Sequence, residues 1–127
     1  MANGSSMYKL VNNLTKATWL ALGVSFGVLA DSQTEIQHLL VFVAQTDCQY
    51  ERNGEMHSGK QAVEHIQNKY DYFKDKIGST EDFIRYAATK SKISGKYYLV
   101  HCTEQPALKS EQWLLAELAA YRRANPE

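Results

Sequence analysis

Neither sign of charge is in excess in this chain: 14 Lys and Arg stand against 14 Asp and Glu in 127 residues, with the signs interspersed. That excludes the basic footprint of a nucleic-acid binder and the polybasic patch that holds a protein to an anionic membrane. Repeats, low-complexity tracts and interdomain linkers are also lacking, which leaves one domain for a chain of this length. There is no G-x-S-x-G elbow, no phosphate-binding P-loop and no dinucleotide fingerprint, so the common nucleophile and nucleotide chemistries have no footing. No apolar run reaches the roughly 20 residues that a transmembrane helix needs.

The longest apolar run covers residues 17–30 and follows Lys9 and Lys16. A basic start, an apolar stretch of this length and a Val28-Leu29-Ala30 ending form a secretory signal pattern. The expectation is therefore a signal segment at 1–30, cleaved near Ala30, and a domain at 31–127. Met7 offers an alternative start, with 1–6 an upstream extension. Residue 31 is aspartate rather than cysteine, so no lipid anchor or other stable membrane anchor is expected. Removing 1–30 takes away two lysines and no acid, and the remainder stays close to neutral.

Cysteine is scarce: Cys48 and Cys102 only, both in the exported part. In an oxidising compartment an even count argues for a disulfide, here with one possible intrachain pairing. The competing reading is two free thiols, one of them a nucleophile.

The stretch from Cys48 to Ile77 organises the rest. Asn53-Gly54 is a strong hairpin signal, because a two-residue type I′ turn needs φ > 0 at both central positions. A two-residue turn sets Arg52 opposite Glu55, Glu51 opposite Met56 and Tyr50 opposite His57. Alternation then puts Cys48, Tyr50, Arg52, Glu55 and His57 on one face. Ser58 and Gln61 form a capping box that opens a helix. Val63, Ile66, Tyr70, Phe73 and Ile77 make its apolar stripe, and Gly78 is the expected left-handed stop. Upstream, Ser32 to Glu35 reads as another capping box, ahead of a helix over 33–45 with Ile36, Leu39, Leu40 and Val43 inward. Downstream, Ser79 or Thr80 caps a helix with Phe83, Ile84, Ala87 and Ala88 on its apolar side. Residues 96–102 read as a strand with Tyr98, Val100 and Cys102 on one face. Pro106 falls in a loop, and Ser110 is the expected cap of a last helix. The order α-ββ-α-α-β-α predicts an α+β domain: a small antiparallel three-stranded sheet covered by about four helices.

Arg52-Asn53-Gly54, Ala62 and His65, Lys69-Tyr70, Thr80 to Ile84, and Ser94-Gly95-Lys96 with Tyr98 resemble the YfeK-like family of small exported bacterial proteins. The resemblance runs from about Ile36 to Val100, with a looser match at Trp113-Leu114 and Tyr121-Arg122. It implies bacterial origin and export, and it supplies no catalytic residue. The chain departs from the family pattern at Tyr97, where proline is expected. Ser94-Gly95-x-x-Tyr98 is also similar to the short loop of periplasmic C-type lysozyme inhibitors, although those are all-β barrels and this chain reads mostly helical.

His57, Glu64 and His65 are the nearest approach to a metal or acid–base group. They lack zinc-site spacing, and neighbours on a helix diverge by about 100°. Neither a metal nor a cofactor is called for. Cys102 with His57 or His38 would make a thiol–base pair only if the sulfur were free. The function expected is an exported, periplasmic binding or interaction module, with accessory and inhibitor roles in its range. Its partner is an unknown protein or small ligand rather than nucleic acid. The candidate surface is the hairpin tip (Arg52, Asn53, Glu55) and the following turn (Ser94, Gly95, Lys96, Tyr98). The alternative is a small hydrolase or thiol enzyme using Cys102 or His57.

Overall fold

A computed structural model describes residues 32–126. The expected signal segment at 1–30, its cleavage point and the upstream extension at 1–6 lie outside the described residues. Helix α1 (residues 32–45) buries Ile36, Leu39, Leu40 and Val43, the positions its spacing nominates. Ser32 is already helical rather than flanking the helix. The Glu35 carboxylate is used elsewhere, accepting from Thr80 and Arg122, so the capping-box reading there does not hold.

Strands β1 (Gln49–Arg52) and β2 (Glu55–His57) form the expected hairpin. Asn53 and Gly54 have φ of 53° and 82°, and the register pairs Tyr50 with His57, Glu51 with Met56 and Arg52 with Glu55. Helix α2 (Gly59–Tyr72) opens on the expected box: Ser58 accepts from the Gln61 amide while the Gln61 side chain accepts from the Ser58 amide. The helix stops earlier than its stripe suggests. Phe73 is its C-cap, and a 3-10 turn over Lys74–Lys76 follows. Gly78 is not left-handed. Its amide donates to Asp82 Oδ2, so it serves the start of α3 (Thr80–Ala87), whose N-cap is Ser79.

The sheet has four strands where three are expected. β3 (Leu99–His101) pairs with β1, and a two-residue β4 (Leu108–Lys109) pairs with β3, giving the order β2-β1-β3-β4, antiparallel throughout. β4 runs straight into α4 (Ser110–Ala124). Ser110 is therefore not the cap. Its amide donates to the Tyr98 carbonyl, and its fully buried hydroxyl meets the Tyr50 hydroxyl at 2.6 Å. The α+β class stands.

One core joins these elements. Tyr50, Tyr98 and Val100 on the inward sheet face pack with Ile66, Phe83, Ile84, Leu114 and Leu118 from the helices. Cys48 and Cys102 are bonded to each other, at 4.5 Å between Cα atoms, one step beyond the paired residues Gln49 and His101. Burial of apolar side chains is the main favourable term. A charged network adds to it at one end: Arg122 on α4 donates to Glu35 on α1 and to Glu81 on α3.

Candidate binding pocket

Three segments distant in sequence meet beside the hairpin tip. The turn sets the end of β1 so that Arg52 is half-buried against α2, and one guanidinium nitrogen lies 2.5 Å from His65 Nδ1. Residues 90–97 form a closed loop: Tyr97 bridges back to Lys90, the Ser91 amide donates to Lys96 O, and the Gly95 amide donates to Ser91 O. Gly95 sits at φ 74°, a conformation glycine adopts without a Cβ penalty. Ser94 Oγ then donates to Asn53 Oδ1 at 2.6 Å, which ties this loop to the hairpin. Between them and α2 lies a pocket of about 470 Å³.

Its polar wall is a chain of donors. A guanidinium only donates, so His65 Nδ1 is the acceptor and Nε2 carries the hydrogen. Nε2 donates to Tyr98 Oη at 3.1 Å. Lys69 Nζ donates to the same oxygen at 3.2 Å and to the Lys90 carbonyl at 2.8 Å. Tyr98 Oη thus accepts from two groups and keeps its own hydrogen to give. The apolar wall is aromatic. Lys92 Nζ lies 4.7 Å from the Phe73 ring centroid and 5.5 Å from that of Tyr72. Tyr72 is 76% exposed and Ile93 fully so, both on the pocket lining.

The electrostatics follow first from burial and then from the cations gathered here. Burial, then the charges of Arg52 and Lys69, hold the His65 imidazole down at about 4, so it is neutral at pH 7. Burial, then Arg52 and Lys92, bring the Lys69 ammonium down to about 8. Burial pushes the Tyr98 phenol up, against the pull of Arg52. No carboxylate lines the pocket, and among the described residues Arg52, Lys69 and Lys92 have no acidic partner.

A family model described as a family of unknown function, DUF5329, matches residues 30–122. The chain belongs to that family. The uncharacterised protein YfeK of Salmonella typhimurium (strain LT2) is 34% identical over 83 residues, covering 65% of this chain and 69% of the relative. No solved structure matches the chain. The resemblance drawn from Arg52-Asn53-Gly54 and the Ser94-Gly95-Lys96 block therefore reflects membership of the DUF5329 family.

In this DUF5329 chain the two halves of the candidate surface are neighbours, joined by Ser94 and Asn53. Arg52, Asn53 and Tyr98 line the pocket. The Tyr98 ring itself is buried, 2% exposed, with its hydroxyl at the pocket wall. Glu55, Gly95 and Lys96 are exposed and lie outside the lining. Sequence reasoning missed Lys69, Phe73 and Lys92. Its one usable signal was Tyr72, an aromatic off the apolar stripe.

The enzyme-like constellations do not assemble, although His57 and His65 line one small void. Bonded to Cys48, Cys102 offers no free thiol. His57 Nε2 is buried without a hydrogen-bond partner, beside a void of about 10 Å³ whose lining holds no serine, threonine or cysteine. Glu64 lines a different groove, against α1, while His65 faces the pocket.

Proposed function

We propose that the protein is an exported, non-catalytic binding module that takes its ligand in the pocket between the hairpin tip, α2 and the 90–97 loop. The observation that carries this reading is the convergence of Arg52, Lys69 and Lys92 on one concave surface without an acidic partner among the described residues. Like charges held together cost stability unless something offsets them, and groups perturbed by burial and charge in a cleft are functional-site candidates. A cavity of this size suits a small molecule or a chain terminus rather than a flat protein face. Export is supported by the disulfide, which persists in oxidising compartments, and by the signal pattern of residues 1–30. No helix among the described residues is long and apolar enough to cross a membrane.

Ligand-observed NMR with a fragment library tests the site. Hits are expected that compete with one another and are lost in Arg52→Ala. Hits that survive both Arg52→Ala and Lys92→Ala place binding elsewhere and remove this pocket from the proposal.

A further inference from the structure

We infer that the ligand is an organic anion, an oxyanion group carried on a planar or apolar body, with the oxyanion at Arg52, Lys69 and Tyr98 and the body along Phe73, Tyr72 and Ile93. The inference rests on the binding reading above and narrows it to one ligand class. Each part of the pocket contributes a separate reason.

The donors are the first. Arg52 donates to a neutral imidazole, and a guanidinium nitrogen so placed still has further N–H bonds to give. Lys69 spends two of its three N–H bonds on a carbonyl and a phenol oxygen and keeps the third. Tyr98 has an O–H with no acceptor assigned to it among the described residues. A ligand that fills this end must supply lone pairs, and a negative charge makes each such bond roughly twice as strong as its neutral counterpart. A cation there would meet three like charges.

The wall is the second. Phe73 closes the inner side, while Tyr72 and Ile93 stand exposed at the mouth. Exposed large apolar groups bordering a polar pocket are what a ligand's hydrocarbon portion covers. Lys92 lies over both rings, so the third cation borders the same path. A small inorganic anion would leave this wall uncovered, and a neutral aromatic would leave the donors unanswered.

Calorimetric titration of the disulfide-bonded protein with four probes tests the assignment: 3-phenylpropionate, its neutral amide, phenyl phosphate and acetate. The carboxylate is expected to bind about tenfold or more tighter than the amide, as charge-assisted bonds require, and acetate is expected to bind far more weakly. The ratio of phenyl phosphate to 3-phenylpropionate tells which oxyanion fits. Lys92→Gln, at an exposed position that does not threaten folding, and Arg52→Gln should each erode the preference for the acid. Lys96→Gln, a neighbouring cation outside the lining, should leave it intact. Equal binding of acid and amide, both lost in Arg52→Gln, would overturn the anion assignment while leaving the pocket as the binding site. Acetate as tight as 3-phenylpropionate would remove the apolar body. Absence of binding by all four would count against the binding reading itself.

Discussion

At the residue scale, His65 shows how one side chain sets the chemistry of its surroundings. It is neutral because burial, and then the flanking charges of Arg52 and Lys69, disfavour the imidazolium. Only as a neutral ring can it accept from Arg52 and donate to Tyr98. The same arrangement ties folding to pH. The His65 pKa is lower folded, about 4, than unfolded, roughly 6.5. Between those values the unfolded chain binds the extra proton, so this contribution is complete above about pH 6.5 and declines as pH falls toward 4. Urea unfolding at pH 7 and at pH 5, both above the usual carboxylate range, should show a loss of stability at pH 5. The loss should shrink in His65→Gln, and an identical loss in the two proteins would show that His65 is not its source. Tyr50 illustrates the opposite case, a phenol used for structure. Burial raises its pKa far beyond ordinary conditions, and its hydroxyl serves to fix the start of α4 through Ser110.

At the element scale, α1 and α2 approach closely at Gly59. Gly59 is the first residue of α2 and is buried. A Cβ there would lie 2.3 Å from the Val43 carbonyl oxygen and 3.0 Å from a Thr46 methyl. The nearest obstacle is backbone and cannot rotate away. Gly59→Ala should therefore destabilise by about 1–3 kcal/mol, as overpacking does, with helix content retained; a melting temperature equal to wild type would show that the helices can separate at little cost. What sequence disclosed about the elements divides along the same line between local and tertiary causes. The hairpin was legible because Asn53-Gly54 fixes turn type and register within a few residues, and the α2 capping box because its partners are three apart. β4 was not legible, since Leu108 and Lys109 are too few to show alternation and become a strand only because β3 lies beside them. Ser110 read as a cap because its local position suits one, yet its hydroxyl is claimed by Tyr50, sixty residues away. The pocket was half legible. Arg52, Asn53 and Tyr98 announced themselves through the turn and the loop motif, while Lys69, Phe73 and Lys92 acquire meaning only when the 90–97 loop folds back onto α2.

At the scale of the molecule, two long-range ties hold the fold closed. Arg122 bridges Glu35 and Glu81, and the carboxylate of Glu35, lowered in pKa by that partner, would be left buried without it. The disulfide spans 54 residues of sequence and joins the residue before β1 to the residue after β3; β1 ends in Arg52, and Tyr98 immediately precedes β3. Cys48→Ala/Cys102→Ala should lower stability by about 2–4 kcal/mol, mostly by freeing the unfolded chain. Denaturant melts of the variant and of reduced wild type should agree, and a variant as stable as the oxidised protein would show that the bond adds nothing to this core. The sheet has a further consequence at its margins. Its outer strands are β2 and β4, three and two residues long, with Glu55 and Lys109 exposed on them. A neighbouring chain seeking to extend the ladder would find a few amides bordered by charge, too short a template for runaway strand addition. Brevity at both margins is thus a guard against edge-to-edge pairing, built into the sheet by its strand lengths.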